Sequence, residues 1–518
     1  MAEGILPSRN FGLGGEIMEG LLHGFAVVLT PQNLIFALAG CFLGTLVGVL
    51  PGIGPIGSMA LLLGATYGLP TETALIMFAG IYYGAMYGGS TTSILVNIPG
   101  ESSSVVTAID GHQMALNGRG GAALCIAALG SFVAGTIGLI LLTALAPPLA
   151  DIAVKFGPPE YFAIAVFGLV VLSQLSGEGF VKSAIMVVLG LIVATVGLDG
   201  MTGLPRFTFG NLNLQTGIDF IPMCMGLYGI TEVILAAEQK IVENKEIIKV
   251  RLRDLIPTRN EAKRSAGPTF RASFLGFFTG LIPGPAAVIS SFTSYVIEKK
   301  ISKHPEEFGK GAPEGVAGPE SANNAAAVGA FVPLLSLGIP FAPPTALLLS
   351  AMMIHGITPG PLLIENHPDI FWGVIASMYI GNIMLLVLNL PMVGMFVRLL
   401  STPANLLMPI ILVLCIIGAF AVNNTVTDII IMVLAGMAGY IFRKVEYPIA
   451  PLLLAIVIGP TLEDSLKRSL MISSGSFKVF WSRPISKTLF IITFLVVVVP
   501  LLLKLFKKIY NKEKPVAL

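Results

Sequence analysis

The chain has 518 residues, of which 54% are hydrophobic and only 12% are charged. Soluble globular domains carry about 25% charged residues, so this composition, with a mean hydropathy of +0.85, excludes an ordinary soluble protein. The net charge of +2 gives no sign of the concentrated basic face that nucleic-acid binding requires, and we predict no nucleic-acid partner. The cysteines lie far apart in apolar runs, which excludes a disulfide framework and a zinc site.

Apolar runs follow one another along most of the chain, after an N-terminal segment that has acidic side chains and predicts no cleavable signal peptide. A bilayer crossing takes about 20 apolar residues, and the shorter runs are expected to form half-helices or hairpin arms. We therefore predict an all-α polytopic membrane protein with about 11–13 transmembrane helices, some of them broken or arranged as hairpins. The runs lie near residues 20–30, 33–50, 53–69, 73–96, 121–147, 160–176, 180–198, 218–237, 272–297, 315–338, 343–358, 371–399, 405–421, 425–442, 448–460 and 487–506.

A polar stretch between Lys240 and Arg271 divides the chain almost in half. Its Lys and Arg residues outnumber its Glu and Asp residues, which predicts a cytoplasmic loop by the positive-inside rule. The predicted organisation is a first transmembrane half at 1–239, a basic cytoplasmic linker at 240–271, and a second half with a C-terminal helix at 272–518. A solvated loop without a further role is the simplest interpretation of the linker.

Two motifs recur in the same order on either side of this linker. Leu-Gly-x-x-x-Gly-x-x-Pro-Gly occurs at 43–52 and again at 275–284, and Tyr-Gly-Gly leading to Ile-Pro at 87–99 corresponds to Val-Gly-Ala leading to Ile-Pro at 328–340. Chance similarity between glycine-rich helices is the alternative, but the shared order favours two related halves, which we predict to be inverted repeats. The predicted helix breaks are Pro51, Gly52, Pro99, Gly100, Pro283, Gly284, Gly338 and Pro340.

The first repeated segment is rich in hydroxyl groups, at Ser90, Thr91, Thr92 and Ser102–Ser104, and it also contains Asn97. A helix that stops at Pro99-Gly100 and restarts in the serines would present unpaired N–H groups beside hydroxyls, which is an anion site without a cationic side chain. The alternative is that these small residues only pack helices together.

The second repeated segment supplies Glu320, Ser321, Asn323 and Asn324. Asparagine amides carry both acceptors and donors, so they suit either a hard cation or carboxylate oxygens. The predicted substrate- or cation-binding residues are Ser90, Thr91, Thr92, Asn97, Ser321, Asn323, Asn324 and Glu320, and the predicted ligands of a Na⁺ ion are Asn97, Asn323 and Asn324.

Three carboxylates, Glu101, Asp110 and Glu320, lie next to the repeated motifs and are candidates for binding a coupling cation or relaying protons. A charged residue costs roughly 2.5–3.5 kcal/mol at the centre of a membrane helix on insertion scales. Neither motif contains Lys or Arg, so an anionic substrate is expected to rely on helix ends, hydroxyls and a bound cation. No catalytic arrangement of Ser, His, Cys or Asp appears, and we predict no enzyme and no cofactor, with Na⁺ or H⁺ as the coupling ion.

At these motifs the sequence resembles the large membrane subunit of the tripartite tricarboxylate transporters. The resemblance covers roughly residues 20 to 500. It is carried by Gly48–Pro55, Tyr83–Leu95, Asn97–Gly100 and Asp110–His112 in the first half and by Glu314–Ala325, Leu337–Pro340 and His355–Pro361 in the second.

The resemblance implies a multi-pass carrier in the bacterial inner membrane that imports carboxylates such as citrate with an ion gradient. It also implies two partners, a small membrane subunit and a periplasmic solute-binding protein. Two positions depart from the usual pattern of the family. Phe341 follows Ile339-Pro340 where the family usually has Gly, and Pro285-Ala286 stands where Ala-Gly is more usual, so citrate is not assured as the substrate.

The sequence therefore predicts a secondary active transporter subunit with a midplane site between residues 87–104 and 319–340. Two alternatives stay open at this point. One is a carboxylate carrier that works without partner proteins, and the other is a channel, which the discontinuous paired motifs disfavour.

Overall fold

The computed structural model describes residues 13–49, 54–63, 66, 68–97, 100–175, 179–238, 252–392, 394–395 and 404–512. The described residues are almost entirely helical, with one antiparallel pair of two-residue strands, β1 (Gly197–Leu198) and β2 (Pro205–Arg206). The first half contains α1 (Leu13–Val28), α2 (Pro31–Val49), α3 (Gly54–Leu63), α4 (Thr71–Val96), α5 (Val105–Met114), α6 (Gly120–Ala153), α7 (Pro158–Leu175), α8 (Phe180–Ala194), α9 (Phe220–Cys224) and α10 (Thr231–Glu238).

The second half is also built from helices of very different lengths. Its elements are α11 (Arg259–Gly280), α12 (Ala286–Ile301), α13 (Glu314–Gly329), α14 (Phe331–Leu337), α15 (Pro343–Ile354), α16 (Leu363–Asn366), α17 (Pro368–Asn389), α18 (Ala404–Asn423), α19 (Val426–Lys444), α20 (Ile449–Ile472), α21 (Val479–Ser482) and α22 (Pro484–Lys512).

The all-α polytopic membrane fold predicted from the sequence is confirmed. Among the described residues, six helical segments are long and apolar enough to cross a membrane: Pro31–Val49, Ser102–Ala153, Phe220–Glu238, Pro368–Asn389, Val426–Lys444 and Ile449–Ile472. The prediction of about 11–13 crossings is larger than six because it also counts shorter apolar helices and helices on either side of a break. That number stays a prediction.

In the first half, α2 and α4 approach each other closely along a row of glycines. A Cβ atom on Gly44 would overlap the backbone oxygen of Ile81, and one on Gly48 would overlap that of Ala85. From the other side, a Cβ atom on Gly88 would overlap the backbone oxygen of Thr45. Small residues at such crossings allow backbones in a membrane to come into direct contact.

The second half contains the same crossing between α11 and α13. A Cβ atom on Gly276 would overlap the backbone oxygen of Ala322, one on Gly280 that of Ala326, and one on Gly329 that of Phe277. These contacts join the residues that correspond in the two copies of the repeated motifs. The repeat in the sequence is therefore also a repeat of one packed helix pair.

Part of the predicted linker is helical. Residues 240–251 lie outside the described residues, but Arg259 starts α11, so the segment 259–271 continues directly into the second half rather than forming a loop. Thr258 and Glu261 form a capping box at its first turn, which satisfies backbone N–H groups that would otherwise lack partners. Arg264 binds Glu314 and Arg271 binds Glu298, each through two nitrogen atoms, so two of the basic residues of this segment form ion pairs with the second half.

The two halves pack around a shared core that contains side chains from α4, α6, α13 and α17. Within it, the rings of Tyr82 in α4 and Phe331 in α14 stack with their centroids 5.9 Å apart. This core brings the repeated segments of the two halves to the same place.

Candidate functional site

The candidate site lies where α4, α5 and α6 of the first half meet α13 of the second. Glu320 in α13 is 1% exposed. One of its carboxyl oxygens accepts a hydrogen bond from the Thr107 hydroxyl of α5 at 3.0 Å, and the other accepts one from the Ser131 hydroxyl of α6 at 3.2 Å. The carboxyl group of one half is therefore held by hydroxyl groups of the other.

Asn324, one turn further along α13, completes this arrangement. Its amide nitrogen donates to the Ser131 hydroxyl at 2.7 Å and lies 3.2 Å from the Glu320 carboxyl oxygen Oε1. Glu320, Ser131 and Asn324 thus form one closed set of hydrogen bonds in the interior. The spacing of four residues places Glu320 and Asn324 on the same face of the helix.

A small cavity opens beside Glu320, with about 10 Å³ of space for the centre of a water molecule. That volume holds roughly one water molecule and no carboxylate substrate. The cavity is lined by Tyr87, Ser90, Thr91, Leu124, Ala127, Ala128, Ser131, Glu320 and Asn389. Ser90, Thr91 and Glu320, all predicted from the sequence, therefore meet at one place.

Asn323 joins α13 to the break that follows α4. Its amide nitrogen donates to a carboxyl oxygen of Glu101 at 2.9 Å, and the Ser103 hydroxyl donates to the same oxygen at 2.5 Å. Asn323 is 1% exposed, and its carbonyl oxygen Oδ1 has no hydrogen-bond partner among the described residues. A buried polar atom without a protein partner is uncommon, and a ligand or an ordered water would satisfy it.

The serines after this break do not form the open anion site that the sequence predicts. Ser102–Ser104 form one turn of 3₁₀-helix before α5, and the Glu101 carboxyl group lies against it. The Ser104 hydroxyl donates to the backbone oxygen of Glu101 and accepts a hydrogen bond from the Ser93 hydroxyl. An anion bound here would face a carboxylate, which like-charge repulsion opposes.

The other predicted contact residues lie apart from the cavity. The Ser321 hydroxyl faces α6 close to Gly130 and has no partner among the described residues. The Thr92 hydroxyl donates to the backbone oxygen of Gly89 in its own helix. Asn97 ends α4 in the left-handed conformation, at φ 57°, with an exposed side chain, and no described hydrogen bond joins it to Asn323 or Asn324.

Comparison with known proteins identifies the family. Residues 34–454 match the model of the tripartite tricarboxylate transporter TctA family. The chain belongs to this family. It is therefore a subunit of a tripartite tricarboxylate transporter. Its long apolar helices make it a multi-pass membrane protein.

Two relatives of this TctA family protein come from Agrobacterium vitis. An uncharacterized 52.8 kDa protein in the TAR-I ttuC' 3' region is 48% identical over 487 residues, which is 94% of this chain and 97% of the relative. An uncharacterized protein in the TAR-II ttuC' 3' region is 49% identical over 214 residues, which is 41% of this chain and 88% of that relative. No solved structure matches the chain.

The predicted helix breaks of the TctA protein fall between helices wherever they are described. Gly100 lies between α4 and α5, Pro283 and Gly284 between α11 and α12, and Gly338 and Pro340 between α14 and α15. Pro51, Gly52 and Pro99 lie outside the described residues. The two breaks of the second half are joined directly, because the Gly284 N–H donates to the backbone oxygen of Phe341 at 2.9 Å.

Phe341, which departs from the usual family pattern, does not line the cavity. Its buried side chain packs with Ile164 of α7, Val187 of α8 and Ile458 of α20. The corresponding position in the first half is Gly100, where a Cβ atom would overlap the backbone oxygen of Gly48. The two breaks are therefore packed differently, one against backbone and the other through an aromatic side chain.

Asp110 has a structural environment rather than that of a cation ligand. One carboxyl oxygen accepts hydrogen bonds from the backbone N–H groups of Gly309, Gly311 and Ala312 at 2.8–2.9 Å. The other accepts one from the Tyr295 hydroxyl at 2.9 Å. The carboxylate therefore fixes the loop before α13, and the backbone donors compensate its charge.

Several residues of the site were not among those predicted from the sequence. Thr107 and Ser131 bind Glu320, and Tyr87 and Asn389 line the cavity. Ser131 is a single hydroxyl in a run of small residues, whereas Tyr87 begins one of the repeated motifs. Asn389 offered a further signal, because a buried polar group in a membrane helix requires a partner or a function.

Proposed function

We propose that this chain is the membrane subunit that moves a carboxylate substrate across the bacterial inner membrane, driven by a gradient of Na⁺ or H⁺ that binds at Glu320. The substrate is a tricarboxylate or a related carboxylate anion. A periplasmic solute-binding protein delivers it, and a small membrane subunit completes the complex. Membership of the family supports a role in transport, and the environment of Glu320 supports the coupling of that transport to a cation gradient.

The observation that carries this proposal is that Glu320 has no basic partner among the residues that the structure describes. Three other buried carboxylates of the described chain form ion pairs, Glu160 with Arg483, Glu298 with Arg271, and Glu314 with Arg264, and Asp110 accepts three backbone N–H groups. Glu320 instead has only hydroxyl and amide donors among the described residues. An ionised carboxylate in the interior is costly unless it is paired, so this one requires a proton or a metal cation.

The cavity suits a cation of small size. Its polar lining comes from a carboxyl group, an amide and the hydroxyls of Tyr87, Ser90, Thr91 and Ser131. Such oxygen donors suit Na⁺, as in the interrupted helices of other secondary transporters. We propose this location in place of the predicted Na⁺ site at Asn97, Asn323 and Asn324, since Asn97 is exposed at the end of α4 while Asn324 contacts Glu320 directly.

The substrate requires a more open arrangement than the one described. A cavity of about 10 Å³ is far below the roughly 300–1,000 Å³ of small-molecule pockets. We propose that the helices around the breaks separate to admit the anion beside the bound cation. A closed site of this kind supports a carrier that alternates between states rather than a continuous channel.

Uptake into proteoliposomes tests this proposal. The chain is reconstituted with a small membrane subunit of the family, and radiolabelled citrate and other carboxylates are presented together with a periplasmic solute-binding protein from the same organism. We expect uptake that depends on a Na⁺ or H⁺ gradient in the wild type and is lost in Glu320→Gln. Glu446→Gln is the matched control, because that carboxylate is exposed at the end of α19, and it should leave uptake unchanged.

The two alternatives give different results in the same vesicles. A stand-alone carrier would transport at full rate without the binding protein. A channel would show no counterflow, because it cannot exchange internal for external substrate. Gradient-independent uptake in the wild type, or full coupling in Glu320→Gln, would refute the proposed role of Glu320.

A further inference from the structure

We infer that Glu101 forms a second cation site, separate from the Glu320 cavity, so that the chain binds two monovalent cations in each transport cycle. The inference rests on the proposed function, since it takes Glu320 as the first site. The ligand is Na⁺ or a proton, held by oxygen atoms of Glu101, Ser103 and Asn323.

Glu101 resembles Glu320 in having no basic partner. Its carboxyl group accepts hydrogen bonds from the Ser103 hydroxyl and the Asn323 amide. Among the described residues, the titratable groups that interact with it electrostatically are Glu320 and Tyr82, and neither carries a positive charge. No Lys, Arg or His that the structure describes forms an ion pair with Glu101 that would compensate a negative charge there.

The carbonyl oxygen of Asn323 is a second and independent sign of a ligand. This atom is buried without a hydrogen-bond partner, while the nitrogen of the same amide group is bound to Glu101. The oxygen therefore belongs to the same buried amide group that contacts Glu101. A cation bound by both groups would satisfy the amide oxygen and neutralise the carboxylate at once.

The two sites are distinct because they share no donor. Glu320 is held by Thr107, Ser131 and Asn324, whereas Glu101 is held by Ser103 and Asn323. The neighbouring asparagines of α13 thus hold one carboxyl group each. Two carboxylates near each other disfavour ionisation of both, so one cation would leave the second charge uncompensated.

Direct binding to the purified full-length chain tests the inference without requiring transport. Binding of ²²Na⁺ is counted per chain, and infrared spectra in D₂O report the C=O bands of protonated carboxyl groups. If the ligand is Na⁺, the wild type binds two ions, and Glu101→Gln and Glu320→Gln bind one each. If the ligand is a proton, each of the two variants lacks a different carboxyl band.

Asn323→Ala tests the same site without changing a carboxyl group. It removes the unpartnered oxygen, so it should weaken cation binding at Glu101, or shift the Glu101 band, and leave the Glu320 signal in place. Glu446→Gln is the control with unchanged signals. If both Glu101→Gln and Asn323→Ala give the wild-type signals, the second site is refuted. If Glu320→Gln still loses one signal in that case, the proposed function stands. If the Glu320→Gln signals are also those of the wild type, the proposed cation role of Glu320 fails as well.

Discussion

The amide nitrogen of Asn324 donates a hydrogen bond to the Ser131 hydroxyl at 2.7 Å, and this contact joins α13 of the second half to α6 of the first. Ser131 in turn donates to the Glu320 carboxyl group. The position of the candidate coupling carboxylate is therefore determined by residues from both halves. A relative movement of the two halves would change the environment of Glu320, which is the property that coupling requires.

Asn324→Ala should abolish coupled uptake while the protein still inserts in the membrane. The substitution removes the donor to Ser131 and leaves buried polar atoms without a partner, at a cost of about 1–3 kcal/mol. The measurement is the initial uptake rate as a function of cation concentration. Asn366→Ala is the control, because Asn366 is exposed. Wild-type kinetics in Asn324→Ala would contradict the assignment.

Gly276→Ala should destabilise the second half. The added methyl group overlaps the backbone oxygen of Ala322, and inserting a methyl group into a packed interior costs typically about 1–3 kcal/mol. Thermal unfolding in detergent should show a lower midpoint for this variant. Gly14→Ala, where no atom lies within 4 Å of the added carbon, should not lower it. Equal midpoints for the two variants would argue against the close crossing of α11 and α13.

Asp110→Asn should loosen the loop before α13 without removing a cation site. The amide keeps one acceptor oxygen but adds a donor that faces backbone N–H groups, so we expect faster hydrogen exchange at residues 309–312. Tyr295→Phe, which removes one hydrogen bond, should have a smaller effect. Loss of one bound ²²Na⁺ in Asp110→Asn would instead make Asp110 a cation ligand.

The loop between β1 and β2 should become less stable in acid. A hydrogen bond from the Lys467 ammonium, followed by those from the backbone N–H groups of Thr202 and Met201, holds the pKa of Asp199 well below its usual range. Because the folded-state pKa is lowered, this stabilisation is present at neutral pH. It begins to be lost as the pH falls below about 4, the ordinary value for aspartate.

Limited proteolysis of residues 197–219 over a range of pH measures that loss. The wild type should become more sensitive as the pH decreases, whereas Asp199→Asn should already be sensitive at neutral pH and change little. Equal sensitivity of the two proteins at neutral pH would show that Asp199 does not hold the loop.

The sequence by itself determined the class of the protein and the order of its parts. Low charge and long apolar runs require a bilayer, and the repeated Gly-x-x-x-Gly and Ile-Pro motifs indicated where helices cross and where they break. Glu320 and Asn324 could also be found in advance, because their spacing places them on one face of a helix and polar residues are rare inside a membrane.

Only the tertiary structure decided which of these groups meet. It placed the Asp110 carboxylate against backbone N–H groups and Asn97 at an exposed helix end. It also placed the Glu320 carboxyl group within hydrogen-bond distance of the Thr107 and Ser131 hydroxyls. These partners come from elements far apart in the chain, and a hydrogen bond depends on distance and direction, which local sequence patterns do not encode. The scarcity of charged residues is visible in the composition. That none of the described Lys or Arg side chains pairs with Glu320 is a property of the fold.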